Sequence, residues 1–174
     1  MSARTAVVVG NPFGGGRTLA AARRLLSELT GRDEADLVID LSTVGAGLLD
    51  WQDADVAALV REVAAADLVI VASPTYKATY SGLLKLFLDR FAPGHGSGLT
   101  GLAVPLMLGG APAHALAVEV HLRPLLAEIG ALVPTAGLFL LDADHDAASA
   151  YEPWLARHRD VVTTLLATRI GAPA

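Results

Sequence analysis

Near the start of the chain, Gly10, Gly14, Gly15 and Gly16 are followed at once by Arg17 and Thr18. Glycines reach backbone conformations closed to other residues and let successive N–H groups converge, and a helix opening at Arg17 adds the positive end of its dipole. With one hydroxyl and one guanidinium added, the set reads as an anion cradle that would take a phosphate. The stretch from Asn11 to Thr18 nearly matches the nucleoside-triphosphate loop G-x-x-x-x-G-K-[ST]. Asn11 stands where the first Gly belongs and Arg17 where the Lys belongs, so the point charge that bridges terminal phosphates is missing. Nor is this the spaced G-x-G-x-x-G of a dinucleotide site, and no acidic residue sits in clear ribose position. On these residues alone, which phosphate is bound stays open.

A second candidate region is SPTYKATYSGLLKLFLDRF, residues 73 to 91. Tyr80, Leu83, Leu84, Phe87, Leu88 and Phe91 recur at helical spacing and form a core stripe. Before them stand Pro74, Thr75, Tyr76 and Lys77, where an aromatic, a proline-stiffened turn and free amides suit a flat heteroaromatic ring. The alternative is an ordinary strand-to-helix connection in which Tyr76 and Tyr80 simply pack. Asp142, Asp144 and Asp146 resemble the start of a calcium loop, but Ala147 replaces the required Gly and Pro153 the closing Glu, which leaves a solvated acidic turn. His114 and His121 are seven residues apart, a spacing poor for shared metal ligation. No metal site is assigned, and His114 either packs at a helix start or faces the crevice. Trp51 and Trp154 read as packing residues.

These residues must be held by an alternating chain. Residues 5 to 10, 36 to 41, 67 to 73 and 101 to 108 are short continuous apolar runs, with a fifth within 131 to 141, as strands buried on both faces of a parallel sheet should be. Helical periodicity covers 17 to 30, 53 to 66, 79 to 91, 112 to 130 and 151 to 170. Such alternation predicts a doubly wound α/β fold, and five strands favour the flavodoxin-like order 2-1-3-4-5 with helices on both faces. Ligands then bind at the carboxyl ends of the strands, where the order reverses, so the loops at 10 to 18, 73 to 80 and 108 to 114 matter. Residues 1 to 174 read as one domain, and the tail GAPA should fray.

Composition narrows the function. A net charge of -5, from 13 Lys and Arg against 18 Asp and Glu, offers no basic face for nucleic acid. Cysteine is absent, which removes disulfides and thiolate chemistry. The opening apolar run is too short for a signal core or a bilayer span, so the simplest expectation is a cytoplasmic protein that meets no membrane. With 53% hydrophobic residues, some apolar surface should meet another subunit. The segment 112 to 130 is apolar on nearly every side, through Leu116, Val118, Val120, Leu122, Leu125 and Leu126, and Pro124 should kink it.

Three blocks, in order, resemble the NAD(P)H-dependent FMN reductases of flavodoxin-like fold, in particular the reductase components of two-component alkanesulfonate-type monooxygenases. They are Gly10-Asn-Pro with Arg17-Thr18; Ser73-Pro-Thr-Tyr-Lys-Ala-Thr-Tyr-Ser-Gly-Leu-Leu-Lys85, close to P-x-Y-K-x-x-Y-S-G-x-L-K; and Gly109-Gly110-Ala-Pro-Ala-His114 with Leu122-Arg-Pro124-Leu-Leu. The resemblance spans residues 5 to about 142. It implies that Asn11, Pro12, Gly16, Arg17 and Thr18 bind the FMN phosphate, that Pro74, Thr75, Tyr76 and Lys77 line the ribityl chain and ring edge, and that Gly109 and Gly110 approach the pyrimidine side. It further implies NADPH or NADH as co-substrate, hydride transfer to the flavin without a catalytic side chain, a flavin-dependent monooxygenase as acceptor of reduced FMN, and a homodimer or homotetramer.

The chain departs from that family in two places. Asn11, Phe13 and glycines replace the serines and cation usual in the phosphate loop, which implies weaker or exchangeable FMN. Val120 stands where alkanesulfonate reductases carry a Tyr at a helix irregularity tied to tetramer packing and flavin handling. The alternatives are an FMN-bound quinone, azo or metal-oxyanion reductase, a flavodoxin-type electron carrier, and a P-loop nucleotide kinase. The carrier lacks support in the missing T-x-T-G-x-T loop.

Overall fold

The computed structural model describes residues 2 to 171. Its centre is a parallel sheet of β1 (Thr5–Val9), β2 (Leu37–Asp40), β3 (Leu68–Pro74), β4 (Leu102–Gly109) and β5 (Leu138–Leu141), in the order β2-β1-β3-β4-β5. The five-stranded, flavodoxin-like order expected from the alternation is the one found. Around it lie α1 (Arg17–Thr30), α2 (Ala54–Ala64), α3 (Gly82–Leu88), α4 (Arg123–Glu128) and α5 (Ala148–Gly171). Alternate residues of each strand enter opposite cores, as the twofold strand period requires. Val7 and Val9 of β1 meet α1 and α5, while Ala6 and Val8 meet the layer holding α2, α3 and the fourth helical segment. That double burial is why the strands read as unbroken apolar runs.

The helix ends follow local rules. Asp53 accepts the Val56 N–H at 2.9 Å and starts α2, while Ser81 accepts the Leu84 N–H at 3.1 Å and starts α3. Gly31 closes α1 in the left-handed region, at φ 68°. Helix α3 begins at Gly82 rather than at residue 79 because Tyr76 to Thr79 are diverted into a tight hairpin turn before the Ser81 cap.

The segment 112 to 130 is not one helix. It holds a 3-10 turn at Pro112–His114, one π-helical turn at Val118–Leu122, and then α4. Pro124 has no N–H to offer the Val120 carbonyl, and the Arg123 N–H reaches back five residues to Val118. The fifth apolar run pairs only from Leu138, apart from an isolated bridge at Leu132. Between Val133 and Gly137 backbone groups are taken by side chains. Arg123 donates to the Thr135 carbonyl (3.0 Å) and Trp154 to that of Ala136 (2.8 Å), and Glu119 accepts the Gly137 N–H.

Trp154 packs as expected, but Trp51 does not. It is 67% exposed, with the Arg90 guanidinium stacked 5.0 Å from its ring. Asp142–Asp144 form a 3-10 turn, and among the described residues no cluster of three potential metal ligands forms. No described helix is long and apolar enough to cross a membrane. Helix α5 runs to Gly171, and the rest of the tail lies outside the described residues.

Asp36 ties the start of β1 to the approach to β2. Its carboxylate accepts two hydrogen bonds from the Arg32 guanidinium (2.8 and 2.7 Å), and the Thr5 N–H (2.8 Å) and hydroxyl (3.0 Å). The Arg32 guanidinium foremost, then Thr5, holds this carboxyl well below the usual carboxylate range. A lowered native value stabilises the fold above the unfolded value, about 4, and that contribution fades as pH falls through the native value. Asp36→Asn should therefore lower the urea midpoint at neutral pH, by a small amount because the pair is well exposed. The gap to the wild type should narrow as the medium is acidified below about pH 4.

Candidate functional site

Strands β1 and β3 are neighbours, yet the chain leaves them for opposite faces of the sheet: α1 covers one and α3 the other. The parting opens a crevice of about 430 Å³ at their carboxyl ends, within the range of small-molecule sites. One wall is the glycine loop, through Asn11, Gly16, Arg17 and Thr18; the other is Pro74, Thr75 and Tyr76; Leu108 and Asp142 complete the lining. A second open crevice of about 560 Å³ adjoins it, sharing Arg17 and Asp142 and reaching Gly110 and Pro112.

The two walls are joined beneath by buried serines. The Ser81 hydroxyl donates to the Gly10 carbonyl and accepts the Leu84 N–H, and the Ser81 N–H donates to the Ser73 hydroxyl at 2.9 Å. Gly10 must be glycine there, since a Cβ would lie 2.4 Å from that of Leu84. Above this floor Gly15 takes φ 67°, a left-handed conformation, and Gly16 caps α1 in extended backbone. Asn11 accepts the Phe13 N–H at 3.1 Å, and Asp40 accepts that of Gly15 at 2.9 Å. Among the described residues the N–H groups of Gly14, Gly16, Arg17 and Thr18 have no protein acceptor. The last three form the positive end of α1 beside the crevice.

On the opposite wall the Thr75 hydroxyl is buried and has no partner. Its N–H is held by the Leu108 carbonyl at 2.6 Å. Tyr76 and Thr79 exchange backbone hydrogen bonds of 2.8 and 3.2 Å around Lys77 (φ 51°) and Ala78 (φ 67°). Two successive left-handed residues without glycine are strained, as turns at functional sites often are. An orphaned hydroxyl, a row of free amides and glycines at the closest approaches fit a phosphate-bearing ring compound such as FMN.

Of the residues singled out from the sequence, Asn11, Gly16, Arg17, Thr18, Pro74, Thr75 and Tyr76 line one crevice, and Gly110 lines its neighbour. Pro12 and Lys77 are exposed beside it rather than in the lining. Gly109 lies behind the wall, where a Cβ would come 2.9 Å from the Phe139 ring and 3.3 Å from the Thr75 hydroxyl. Asp142, Ser81 and Asp40 were not singled out for this site. Asp40 ends β2, but its carboxylate is turned onto the glycine loop, and the signal for it was an acid leaving an apolar strand with Ser42 two residues on.

A family model described as NADPH-dependent FMN reductase matches residues 3–146. An FMN reductase (NADPH) of Pseudomonas aeruginosa is 32% identical over 153 residues, covering 82% of this chain and 79% of the relative. The NADH-dependent FMN reductase SfnF of Pseudomonas fluorescens is 34% identical over 154 residues, with the same coverage. Among solved structures, the apo form of the NADH:FMN oxidoreductase EmoB superposes with a TM-score of 0.78 at 27% identity, covering 96% of this chain and 90% of that one.

Replacing Ser81 by Ala would leave the Gly10 carbonyl and the Leu84 N–H without their buried partner. The expected loss is about 1–3 kcal/mol, read as a lower urea midpoint at unchanged slope. An unchanged midpoint would show that the serine floor is dispensable.

Proposed function

Because the chain belongs to the NADPH-dependent FMN reductase family, whose members are oxidoreductases using FMN and a reduced nicotinamide, we propose that it reduces exchangeable FMN at this crevice and passes reduced FMN to a flavin-dependent monooxygenase. The observation that carries the site is the convergence of the unpartnered Gly16, Arg17 and Thr18 amides with the Pro74–Tyr76 wall, which holds the buried, orphaned Thr75 hydroxyl, across one cleft. The amides and the Arg17 guanidinium hold the phosphate, and the helix dipole adds to them. Asn11 and Pro12 shape the loop, while Pro74, Thr75, Tyr76 and Lys77 form the rim against the ribityl chain and ring. Gly109 and Gly110 keep the far wall low, so the backbone can approach the pyrimidine side. The flavin ring, when bound, accepts hydride from the nicotinamide. No side chain need supply a proton or nucleophile for that step, so the protein's part is orientation and shielding from water.

Exchange rather than permanent tenure is supported by the loop's chemistry, with one cation and one hydroxyl, Arg17 and Thr18, among glycines. A quinone, azo or metal-oxyanion reductase with resident FMN is the alternative, and a flavodoxin-type carrier is a further one. The monooxygenase acceptor rests on the sequence resemblance. The whole chain, residues 1 to 174, is proposed as one working domain, placed in the cytoplasm beside the reduced nicotinamide pool.

The same proposal includes a homodimer or homotetramer. Val118, Leu122 and Leu126 face the core, whereas Leu116 and Val120 are 71% and 60% exposed on the same irregular segment. A second copy covering Leu116 and Val120 would remove that apolar surface from water. Val120→Asp should shift the sedimentation coefficient toward that of the monomer, and an unchanged assembly would place the interface elsewhere.

The central test follows nicotinamide absorbance with NADH or NADPH, with and without added FMN. Saturable, FMN-dependent oxidation is expected, and a yellow protein that oxidises neither nucleotide would overturn the proposal in favour of the carrier. Arg17→Ala should raise the Kd for FMN about tenfold or more and leave riboflavin, which lacks the phosphate, unaffected. Equal losses for both would remove the phosphate from this loop.

A further inference from the structure

Beneath the glycine loop lies a carboxylate that the proposed reaction does not use. Asp40 Oδ2 accepts the Gly15 N–H at 2.9 Å, and Oδ1 accepts the Ser42 N–H at 3.1 Å and its hydroxyl at 2.7 Å. The loop rests directly on this pair: a Cβ on Gly14 would lie 2.6 Å from the Ser42 hydroxyl and 3.4 Å from Asp40 Oδ2. Among the described residues Asp40 has no cationic partner within 4.0 Å, and Arg17 is not paired with it. Burial opposes its ionisation, but the Gly15 amide and the Ser42 hydroxyl and amide outweigh that and hold the carboxyl below the ordinary range. It is therefore an anion at neutral pH, balanced only by dipoles.

Asp40 has two opposed effects on anything bound in the loop. By fixing the N–H of left-handed Gly15, it sets the path that brings the Gly16, Arg17 and Thr18 amides together. It also removes the Gly15 donor from the ligand and sets a negative charge directly beneath the loop. Asn11 removes the Phe13 donor in the same way, and Pro12 has none. We propose that Asp40 is a positioning residue that limits FMN affinity: its hydrogen bonds preform the phosphate loop while its charge opposes the phosphate and keeps FMN exchangeable. This rests on the reading that the loop takes the FMN phosphate. The two effects are separable because an asparagine can still accept the Gly15 N–H through its carbonyl without the charge; its amide then faces Ser42, donating to the hydroxyl and giving up the Ser42 N–H, a loss outside the phosphate loop.

The test is flavin-fluorescence titration of the wild type, Asp40→Asn and Asp40→Ala with FMN and with riboflavin, at low and high salt. Asp40→Asn should bind FMN roughly five- to tenfold more tightly, the scale of one nearby charge at a partly wetted surface. That gain should shrink at high salt, because screening removes a charge effect and spares a geometric one. Riboflavin affinity should stay at the wild-type value, which also reports an intact fold. Asp40→Ala, lacking the acceptor, should bind FMN more weakly than Asp40→Asn. Unchanged or weaker FMN binding by Asp40→Asn, with riboflavin unaffected and the wild type preferring FMN, would overturn this inference alone. A wild type that binds FMN and riboflavin equally would overturn the loop's phosphate role and this inference together.

Discussion

Everything at the candidate site depends on how the chain parts between two adjacent parallel strands. β1 and β3 run side by side, and the helices after them go to opposite faces of the sheet, so the backbone must separate where hydrogen-bonding groups would otherwise be stranded. Gly10 still reaches the Ala72 carbonyl at 2.8 Å, and its own carbonyl is taken by the buried Ser81 hydroxyl. Ser81 also caps α3 and is fixed through its own N–H by Ser73. One small buried residue thus holds the floor of the crevice, the first turn of a helix and the end of β3. That only Gly fits at position 10 follows from the same packing, since α3 presses its Leu84 against the exit of β1.

Above that floor the site is stiff but weakly charged. The Tyr76–Thr79 turn is closed by reciprocal backbone hydrogen bonds around two strained residues, and the Thr75 amide is pinned to β4. Neither wall relies on long mobile side chains for its shape. Among the described residues Arg17 is the one cation in the lining of the cleft, and Asp142 lines the same space. Such a site orients a ligand through amides and surfaces that are already in place, which limits the entropy lost on binding, but it gains little from charge pairing.

The sheet was legible because parallel strands buried on both faces leave short unbroken apolar runs, repeated between helical stretches: Val7-Val8-Val9 and Leu68-Val69-Ile70-Val71 are apolar without alternation. Helix α1 was legible over its whole span, 17 to 30, from its periodicity after the glycine loop. The fourth helical segment was not, because its period is apolar all round and says nothing of which carbonyls Pro124 would leave free. The two walls of the crevice were readable as glycines and as a Pro-Thr-Tyr turn. Asp40, Ser81 and Asp142 were not, because a short polar side chain at a strand or helix end reads first as a cap or a solvated turn. What Asp40 does depends on a neighbour 25 residues away in the chain. Periodicity reports faces, and contacts of that range lie outside it.

On the proposed reading, a flavin reduced in this protein and used in another would set contradictory demands on its first host. The ring has to be oriented closely enough for hydride transfer, which calls for a preformed crevice, yet the same contacts must not hold the product past its departure. Strengthening every contact would satisfy the first demand and defeat the second. The arrangement here would divide the two between different forces. On the proposed reading, orientation would come from directional hydrogen bonds and close backbone approach, through the Pro74–Tyr76 wall and the amides opening α1. Retention would come from charge on the phosphate, and there one guanidinium stands against the unpaired carboxylate under Gly15. Hydrogen-bond geometry falls off over tenths of an ångström and charge over several, so one can be kept sharp while the other is kept low.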